Sequence, residues 1–276
     1  MSAATTFLWR GGRLEARDDC DVVPARLHAA DSWLVTEGQA LALELHRSRF
    51  RAAAHADDGI PAALADELDA FWQAALAELP RTGDWFPRVE LREQLGTRQL
   101  LFRLREAPER ARSVVLVTND GRDPRTQPRI KGPDLEAMVR LRTEAQARGA
   151  GEAVILDEGC VADGSTSALA WWWGDALCIP DPDLPRIDSV TLRSVLALAT
   201  ALGVDILTER RRPEELDGLE IWALNARHGI RIVTEWVDGP ATAAQPGRLD
   251  AWRARLDALR RPLPAVDRTA PDEVPA

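Results

Sequence analysis

The hydrophobic positions in the first 120 residues predict short strands and two helices. Apolar residues on either side of Gly11-Gly12 predict a β-hairpin, because consecutive glycines accept the backbone angles of a tight turn. Pro61 begins a segment whose apolar residues recur every three or four positions, which is typical of an amphipathic helix. The elements predicted after the hairpin are helices at 46–56 and 61–79 and strands at 85–91, 99–105 and 113–118.

A polar, proline-rich segment at 118–129 follows these elements and has the composition of a domain linker. Beyond it, Pro133 and Asp134 favour the first turn of a helix. The elements predicted for the rest of the chain are a helix ending near Gly149, strands at 153–156, 160–162, 168–173 and 176–179, a helix at 192–202, strands at 204–208, 219–224 and 230–237, and a helix at 247–261.

These segments together predict an α+β fold with two domains. We expect a smaller N-terminal α+β domain at 1–120, a linker at 121–130, a larger C-terminal domain at 131–265 and a flexible tail at 266–276. Small molecules are commonly bound between two domains, so we expect a site near the linker.

Three consecutive tryptophans lie on one predicted strand. Alternation along a strand places Trp171 and Trp173 on one face of the sheet and Trp172 on the other. Packing in the core or at a dimer interface is the favoured interpretation, and stacking on a ligand is the alternative.

The most informative feature of the composition is the near absence of lysine. Lys and Arg together number 35, and Lys131 is the only lysine. Arginine can replace lysine wherever only a positive charge is needed, but it cannot supply the primary amine that forms an imine. Lys131, just past the linker, is therefore a candidate nucleophile.

The overall charge argues against a nucleic-acid partner. The formal net charge is −9 and the sequence pI is about 5.1, so the chain lacks a basic footprint. No apolar run approaches the ~20 residues of a membrane-spanning helix. The first residues do not have the pattern of a signal peptide, and we therefore expect a cytoplasmic protein without membrane contact.

The order of motifs in the C-terminal half resembles a known family. Lys131 and a helix are followed by GAGEAVILDEGCVADGSTSAL, then LPRIDSVTLRSVLALATALGV, then LEIWALNARHGIRIV. This order resembles the class IV aminotransferases, the pyridoxal-phosphate enzymes of fold type IV, over roughly residues 27–240. That family includes branched-chain and D-amino-acid aminotransferases and aminodeoxychorismate lyase. The resemblance implies a D-amino-acid-aminotransferase-like fold, pyridoxal 5'-phosphate in the C-terminal domain, and a homodimer.

The resemblance also implies the roles of individual residues. Lys131 falls where the family has its Schiff-base lysine, which holds the cofactor and then moves the α-proton. Asp163 falls where the family has a glutamate that keeps the pyridine nitrogen protonated. Arg49, in His46-Arg47-Ser48-Arg49-Phe50, resembles the family arginine that binds the cofactor phosphate.

Two further loops are expected at the phosphate. Val190 and Thr191 match the family loop whose backbone N–H groups meet the phosphate at a helix N-terminus. Asn225 and Ala226 match an Asn-Ser/Thr segment of the family, although Ala226 has no hydroxyl. Many relatives have a tyrosine shortly after the lysine that contacts the cofactor's ring oxygen. This chain has no tyrosine, so that role falls to Glu136 or to no residue.

Three functions are consistent with these motifs. The first is a transaminase that moves an amino group between an amino acid and a 2-oxo acid. The second is a lyase of the aminodeoxychorismate type, which would eliminate pyruvate from a chorismate-derived substrate. The third is a degenerate homologue that binds the cofactor or a partner without turnover, motivated by Asp163, Ala168, Ala226 and the missing tyrosine.

Overall fold

Three β-sheets and five α-helices form the described part of the chain, residues 4–17, 24–56, 60–243 and 246–265 of a computed structural model. The tail predicted at 266–276 lies outside the described residues. The strands are β1 (Thr5–Arg10), β2 (Arg13–Arg17), β3 (Arg26–Ser32), β4 (Val35–Thr36), β5 (Gln39–Ala40), β6 (Asp84–Trp85), β7 (Arg88–Gln94), β8 (Thr97–Leu104), β9 (Ser113–Thr118), β10 (Glu152–Asp157), β11 (Cys160–Gly164), β12 (Ala168–Trp173), β13 (Ala176–Pro180), β14 (Ile206–Glu209), β15 (Leu219–Asn225), β16 (Gly229–Val237), β17 (Thr242–Ala243) and β18 (Arg261–Pro262). The helices are α1 (Leu43–Ala54), α2 (Ala62–Ala77), α3 (Leu135–Ala147), α4 (Val190–Ala201) and α5 (Pro246–Ala258), with a 3₁₀ turn at Pro213–Leu216.

The N-terminal half is an antiparallel five-stranded sheet in the order β2-β1-β8-β7-β3. Gly11 and Gly12 have φ angles of 57° and 78° and form the β1–β2 turn, as predicted. Helices α1 and α2 cover one face of the sheet, and Trp33, Phe71 and Trp72 are among the fully or almost fully buried side chains between them. The strand β3 was not predicted, because its sequence RLHAADS does not alternate between apolar and polar residues.

The larger sheet has the order β11-β10-β9-β16-β15-β12-β13-β14, with β17 beside β15. Its strand β9 pairs with strands of the C-terminal half. Residues 113–118 were placed in the N-terminal domain, whereas β9 pairs in parallel with β10 and with β16. Parallel strands are commonly buried on both faces and therefore have continuous apolar sequences. The sequence of β9, SVVLVT, is of this kind. The larger sheet therefore begins before the predicted linker.

The three consecutive tryptophans occupy β12 as the alternation predicts. Trp171 packs on one face of the larger sheet and Trp172 on the other. Trp172 meets Trp222 and Trp252 edge-to-face, with ring centroids 5.2 and 5.4 Å apart, beneath α4 and α5. Trp173 is 52% exposed, and the Arg211 guanidinium lies 5.2 Å from its ring centroid.

The small third sheet, β18-β5-β4-β6, connects the C-terminal residues to the N-terminal half. The Leu263 N–H donates to the Gly38 carbonyl at 2.8 Å, and the Leu263 side chain packs into the N-terminal core. The two halves are thus joined at this sheet as well as at residues 118–130. No helix in the described part of the chain is long and apolar enough to cross a membrane.

The aromatic cluster gives a direct test of this packing. We predict that Trp172→Ala lowers the free energy of unfolding by about 3–5 kcal/mol, because it leaves a cavity against two other indoles. Trp173→Ala, the next residue on the same strand, should cost less than about 1 kcal/mol, since this side chain is half exposed. Urea denaturation of the two variants measures the difference, and equal losses would contradict the assignment of strand faces.

Candidate active site

A cavity of about 380 Å³ opens between the N-terminal sheet and the larger sheet. Both halves of the chain and the predicted linker line it. It contains seven of the eight residues singled out from the sequence: Arg49, Lys131, Asp163, Val190, Thr191, Asn225 and Ala226. Among the described residues, no group of three or more His, Cys, Asp or Glu side chains is arranged to bind a metal ion.

Lys131 is positioned by a close backbone contact with β3. The Ala30 N–H donates to the Lys131 carbonyl at 2.8 Å. Gly132 has a φ of 139°, and a Cβ atom there would lie 2.7 Å from the Ala30 nitrogen and 2.8 Å from the Ala29 Cα. Only glycine fits this approach, since side chains strongly disfavour this backbone angle and the contact leaves no room for one. The lysine therefore sits on the N-terminal sheet although it follows the linker.

The Lys131 amine has no hydrogen-bond or ion-pair partner within the described ranges. Burial lowers its pKa from 10.5 to about 8, and the nearby Arg49 guanidinium contributes in the same direction. The carboxylates of Asp31 and Asp163 oppose this shift. A substantial fraction of the amine is thus neutral slightly above neutral pH, as a nucleophile requires.

Arg49 is held in place by Asp31, which the sequence did not single out. Its Nε and Nη2 atoms donate to the two Asp31 carboxylate oxygens at 2.7 and 2.9 Å. His46, three residues before Arg49 in helix α1, places its Nδ1 2.7 Å from the Asp31 Oδ1. Burial alone would raise the pKa of Asp31, but Arg49 and His46 together hold that pKa well below its usual value. Asp31 therefore stays ionised and fixes the arginine's orientation.

Arg49 also reaches the N-terminus of α4. Its Nη1 donates to the Asp188 carbonyl at 2.9 Å. The Ser189 hydroxyl accepts from the Leu192 N–H at 3.3 Å and caps the helix, whereas the Val190 and Thr191 N–H groups have no acceptor among the residues described. Free N–H groups at a helix N-terminus beside a guanidinium form a site for an anion such as a phosphate.

Asp163 lies in the same cavity and is paired with Arg125. Its Oδ2 accepts from Arg125 Nη1 at 2.8 Å and from the Ile187 N–H at 3.2 Å, and its Oδ1 accepts from the Gly164 N–H at 3.1 Å. Burial raises the pKa of Asp163 to about 6, and the Arg125 guanidinium opposes the shift. A carboxylate has about four acceptor positions, so one remains on Oδ1 for a further N–H donor.

A second buried carboxylate shapes the loop after β11. Glu152 accepts hydrogen bonds from the hydroxyls of Ser165, Thr166 and Ser167 at 2.7–2.8 Å, and from the Thr166 N–H. Arg231 donates to the same carboxylate at 2.9 Å and to the Ser167 hydroxyl at 2.7 Å. These contacts fix the residues that form one wall of the cavity.

The turn after β15 is attached to this network. Asn225 Nδ2 donates to the Ser167 hydroxyl at 3.0 Å, and the Asn225 Oδ1 accepts from the His228 N–H at 2.8 Å. The turn places Ala226 against the cavity. The Asn225 side chain thus fixes the shape of the turn, and its amide is already hydrogen-bonded to protein atoms.

The structure places Glu136 outside the cavity. This residue lies in the first turn of α3, is exposed, and does not line the cavity. Leu135, Met138, Val139 and Arg142 do line it, because positions i, i+3, i+4 and i+7 share one face of a helix. Glu136 is turned about 100° away from that face.

Several cavity residues were not identified from the sequence. Arg125 was assigned to the linker, and Asp31 lies on the strand that was not predicted. The cavity also contains Arg88, Arg105, Arg142, Arg227, His228 and Arg231. No local motif distinguishes these arginines from the others in the chain, although the helix phase of α3 could have indicated Arg142.

Comparison with known proteins identifies the family. The model of the class IV amino-transferase family matches residues 28–236. No curated protein matches the chain in sequence. The chain belongs to the class IV aminotransferases, a family of pyridoxal-phosphate-dependent transaminases, so the family and the cofactor predicted from the motifs are confirmed.

Solved structures share the fold over almost the whole chain. A fold IV-transaminase from Curtobacterium pusillum has 17% identity and a TM-score of 0.74, covering 92% of this chain and 97% of that one. A hypothetical aminotransferase from Mycobacterium tuberculosis in its PLP-bound form has 18% identity and a TM-score of 0.74, covering 93% and 98%. The branched-chain amino acid aminotransferase from Escherichia coli has 13% identity and a TM-score of 0.75, covering 96% and 97%. The predicted α+β fold of type IV is therefore confirmed.

The single lysine makes its ionisation directly measurable. We predict that protein labelled with [13Cε]lysine and free of cofactor shows one lysine side-chain resonance that titrates with a midpoint near pH 8. A lysine on the surface would titrate near 10.4. A midpoint near 10 would contradict the burial of this amine, and Arg49→Gln should raise the midpoint because it removes a neighbouring positive charge.

The Asp31–Arg49 pair should contribute strongly to stability. We expect Asp31→Asn to lower the free energy of unfolding by about 3–5 kcal/mol at neutral pH, because it leaves a buried guanidinium without its counter-charge. Asp188→Asn is the matched control, since its carboxylate is 62% exposed and bonds only the exposed Arg193 among the described residues. Urea denaturation without cofactor compares the two, and equal effects would count against this role of Asp31.

Proposed function

We propose that this protein transfers an amino group between an amino acid and a 2-oxo acid in the cavity around Lys131. The observation that carries the proposal is the placement of the chain's only lysine. Its amine lacks a partner in the described structure and lies in one cavity with an anion site and with a buried carboxylate.

The residues present fit pyridoxal phosphate. Arg49 and the N–H groups of Val190 and Thr191 would hold its phosphate, because together they supply positive charge and free donors. The remaining acceptor position of Asp163 would hold its ring nitrogen, and the Lys131 amine would bind its aldehyde carbon. When bound, the cofactor's protonated ring withdraws electrons from the bonds at the substrate's α-carbon.

The cavity gives Lys131 a second role as a proton carrier. When its amine is free, Lys131 Nζ would accept the α-proton of the substrate and hold it for return to the reacting molecule. The burial that lowers the lysine's pKa to about 8 suits this task, since a base acts best when its pKa is close to the working pH. Arg125 supports the reaction indirectly, because its bonds to Asp163 fix the orientation of that carboxylate.

The homodimer implied by the family and the cytoplasmic location stay predictions. Size-exclusion chromatography with light scattering measures the first.

Replacement of the lysine tests the proposed chemistry. We predict that wild-type protein with pyridoxal phosphate absorbs visible light, gives a borohydride-stable adduct at Lys131, and converts added 2-oxo acid stoichiometrically to amino acid. Lys131→Ala should lose the adduct and at least about 100-fold of the turnover, since it removes the base. Lys131→Arg keeps the charge but cannot form an imine, and should be equally inactive.

Other outcomes would contradict the proposal. Release of pyruvate from a chorismate-derived substrate without any 2-oxo acid acceptor would indicate the lyase. A protein that stays colourless with excess pyridoxal phosphate, and that forms no adduct, would indicate a homologue without turnover. Arg140→Gln, an exposed change on α3, is the control for nonspecific loss of activity.

A further inference from the structure

The C-terminal residues of the described chain cross from the larger sheet to the N-terminal half. Helix α5 belongs to the core of the larger sheet, whereas β18, which follows it, pairs with β5 of the N-terminal half. The Leu263 N–H donates to the Gly38 carbonyl at 2.8 Å, and the Pro264 carbonyl accepts from Arg81 Nη2 at 2.8 Å. We call residues 260–264 the C-terminal strap. The strap does not line the cavity.

The strap and the segment that it pairs with exchange one leucine each between the two cores. Leu263 is 6% exposed, and among the described residues it is the only one from beyond Ile130 in the N-terminal core. In return, Leu41 packs on the cluster of the larger sheet, α4 and α5, as the only such residue from the described N-terminal half. The two leucines are close together because Arg261 is paired with Ala40. Burial of apolar surface therefore joins the halves at this place.

The strap is attached directly before the helix that carries Arg49. Ala42, the N-cap of α1, has φ 46° and ψ 47°, a left-handed conformation that is uncommon for a residue with a Cβ atom. Such a conformation persists where the neighbouring contacts enforce it. The pairing of β5 with β18 and the burial of Leu41 supply these contacts on the N-terminal side of Ala42. The strap thus helps to fix the position at which α1 begins.

The other edge of the small third sheet reaches the wall of the cavity. Strand β4 pairs with β5 on one side and with β6 on the other. Phe86, directly after β6, lines the cavity, and its N–H donates to the Arg105 carbonyl at 2.8 Å. Trp85 forms an isolated bridge with Glu106, which is also a cavity residue. A hydrogen-bonded sheet therefore extends from the strap to one wall of the cavity.

We propose that the C-terminal strap holds the cavity closed, so that cofactor binding depends on residues that do not line the cavity. Lys131 and Arg49 are positioned by the N-terminal half, whereas Asp163 and the N-terminus of α4 belong to the larger sheet. A ligand that contacts both groups binds only while the two halves are held together. The strap is a positioning element, and its role does not depend on which reaction the cavity catalyses.

Cofactor titration of full-length variants tests the proposal. Leu263→Ala should weaken the binding of pyridoxal phosphate about 10-fold, because the apparent affinity falls with the fraction of closed molecules. Leu68→Ala makes the same deletion in the same core, from α2 and outside the small third sheet, and should weaken binding less than about 2-fold. Leu263→Met keeps the side-chain volume and should stay within about 3-fold of the wild type. Arg261→Ala, an exposed change on β18, should have no effect.

The ionisation of the single lysine reports opening of the cavity in protein without cofactor. In Leu263→Ala protein with 13C at the lysine Cε, the titration midpoint of Lys131 should rise from near pH 8 by about one unit, because water reaches the amine. Leu68→Ala should leave the midpoint unchanged, since a loss of stability alone does not hydrate the amine of the folded molecule. A leucine that only stabilised the fold would not move this midpoint.

A disulfide in place of the buried anchor tests whether attachment of the strap is what matters. Gln39 and Pro262 are exposed and lie directly opposite each other on β5 and β18. Gln39→Cys and Pro262→Cys, added to Leu263→Ala, supply two thiols that diamide oxidises to a disulfide. The oxidised protein should bind pyridoxal phosphate within about 3-fold of the wild type, and the reduced protein should show the loss of about 10-fold again. Leu263→Ala without the added cysteines, treated in the same way, should not respond.

Three results would overturn the proposal: equal losses of affinity in Leu263→Ala and Leu68→Ala, an unchanged lysine midpoint in Leu263→Ala, or no recovery in the oxidised disulfide variant. If Leu263→Ala does not fold, the oxidised variant decides, since folding with wild-type affinity supports the strap and failure to fold overturns it. All these measurements follow binding or ionisation. A protein that gives every expected shift but does not transaminate would therefore refute the proposed function and leave the strap supported.

Discussion

The cavity depends on one buried carboxylate, that of Glu152, which has no exposed surface. It binds three consecutive hydroxyl-bearing residues on the loop between β11 and β12 and the guanidinium of Arg231 on β16. Through Ser167 the same network reaches Asn225 at the end of β15. A buried charge with this many donors is well compensated, whereas loss of one donor leaves the rest of the network unsatisfied. The wall of the cavity is therefore rigid.

Lys131 and Arg49 are positioned in two other ways. Lys131 is placed by a backbone hydrogen bond and by the glycine contact with β3, so its amine needs no side-chain partner to be positioned. Arg49 is placed by a charged pair that also reaches α4. The N-terminal sheet thus orients both Lys131 and Arg49, and the larger sheet provides Asp163. Neither half contains a complete site.

The sequence predicted those features that depend on neighbouring residues. The Gly11-Gly12 hairpin, the helix α4 and the alternation in β12 all follow from local patterns, and Lys131 stood out because arginine cannot replace its amine. The pairing of strand β9 could not be predicted, because its partners β10 and β16 are separated from it by about 30 and 110 residues and lie beyond the apparent linker. Asp31 was missed because β3 lacks alternation and is buried by segments that are distant in sequence. Arg125, Arg105, Arg142 and Arg227 could not be chosen from composition, since a chain so rich in arginine gives no local sign of which guanidinium groups line the cavity.

The arginines that line the cavity stay charged in the protein without a ligand. Unlike lysine or histidine, a guanidinium keeps its proton at every pH at which a protein is normally handled. The arginines of the cavity therefore stay positively charged and will attract small anions from the surrounding medium, even though the chain as a whole is acidic. Phosphate or sulfate in a buffer will compete at these guanidinium groups with any other anion, so the apparent affinity for an anionic ligand will depend on which salts are present as well as on their concentration.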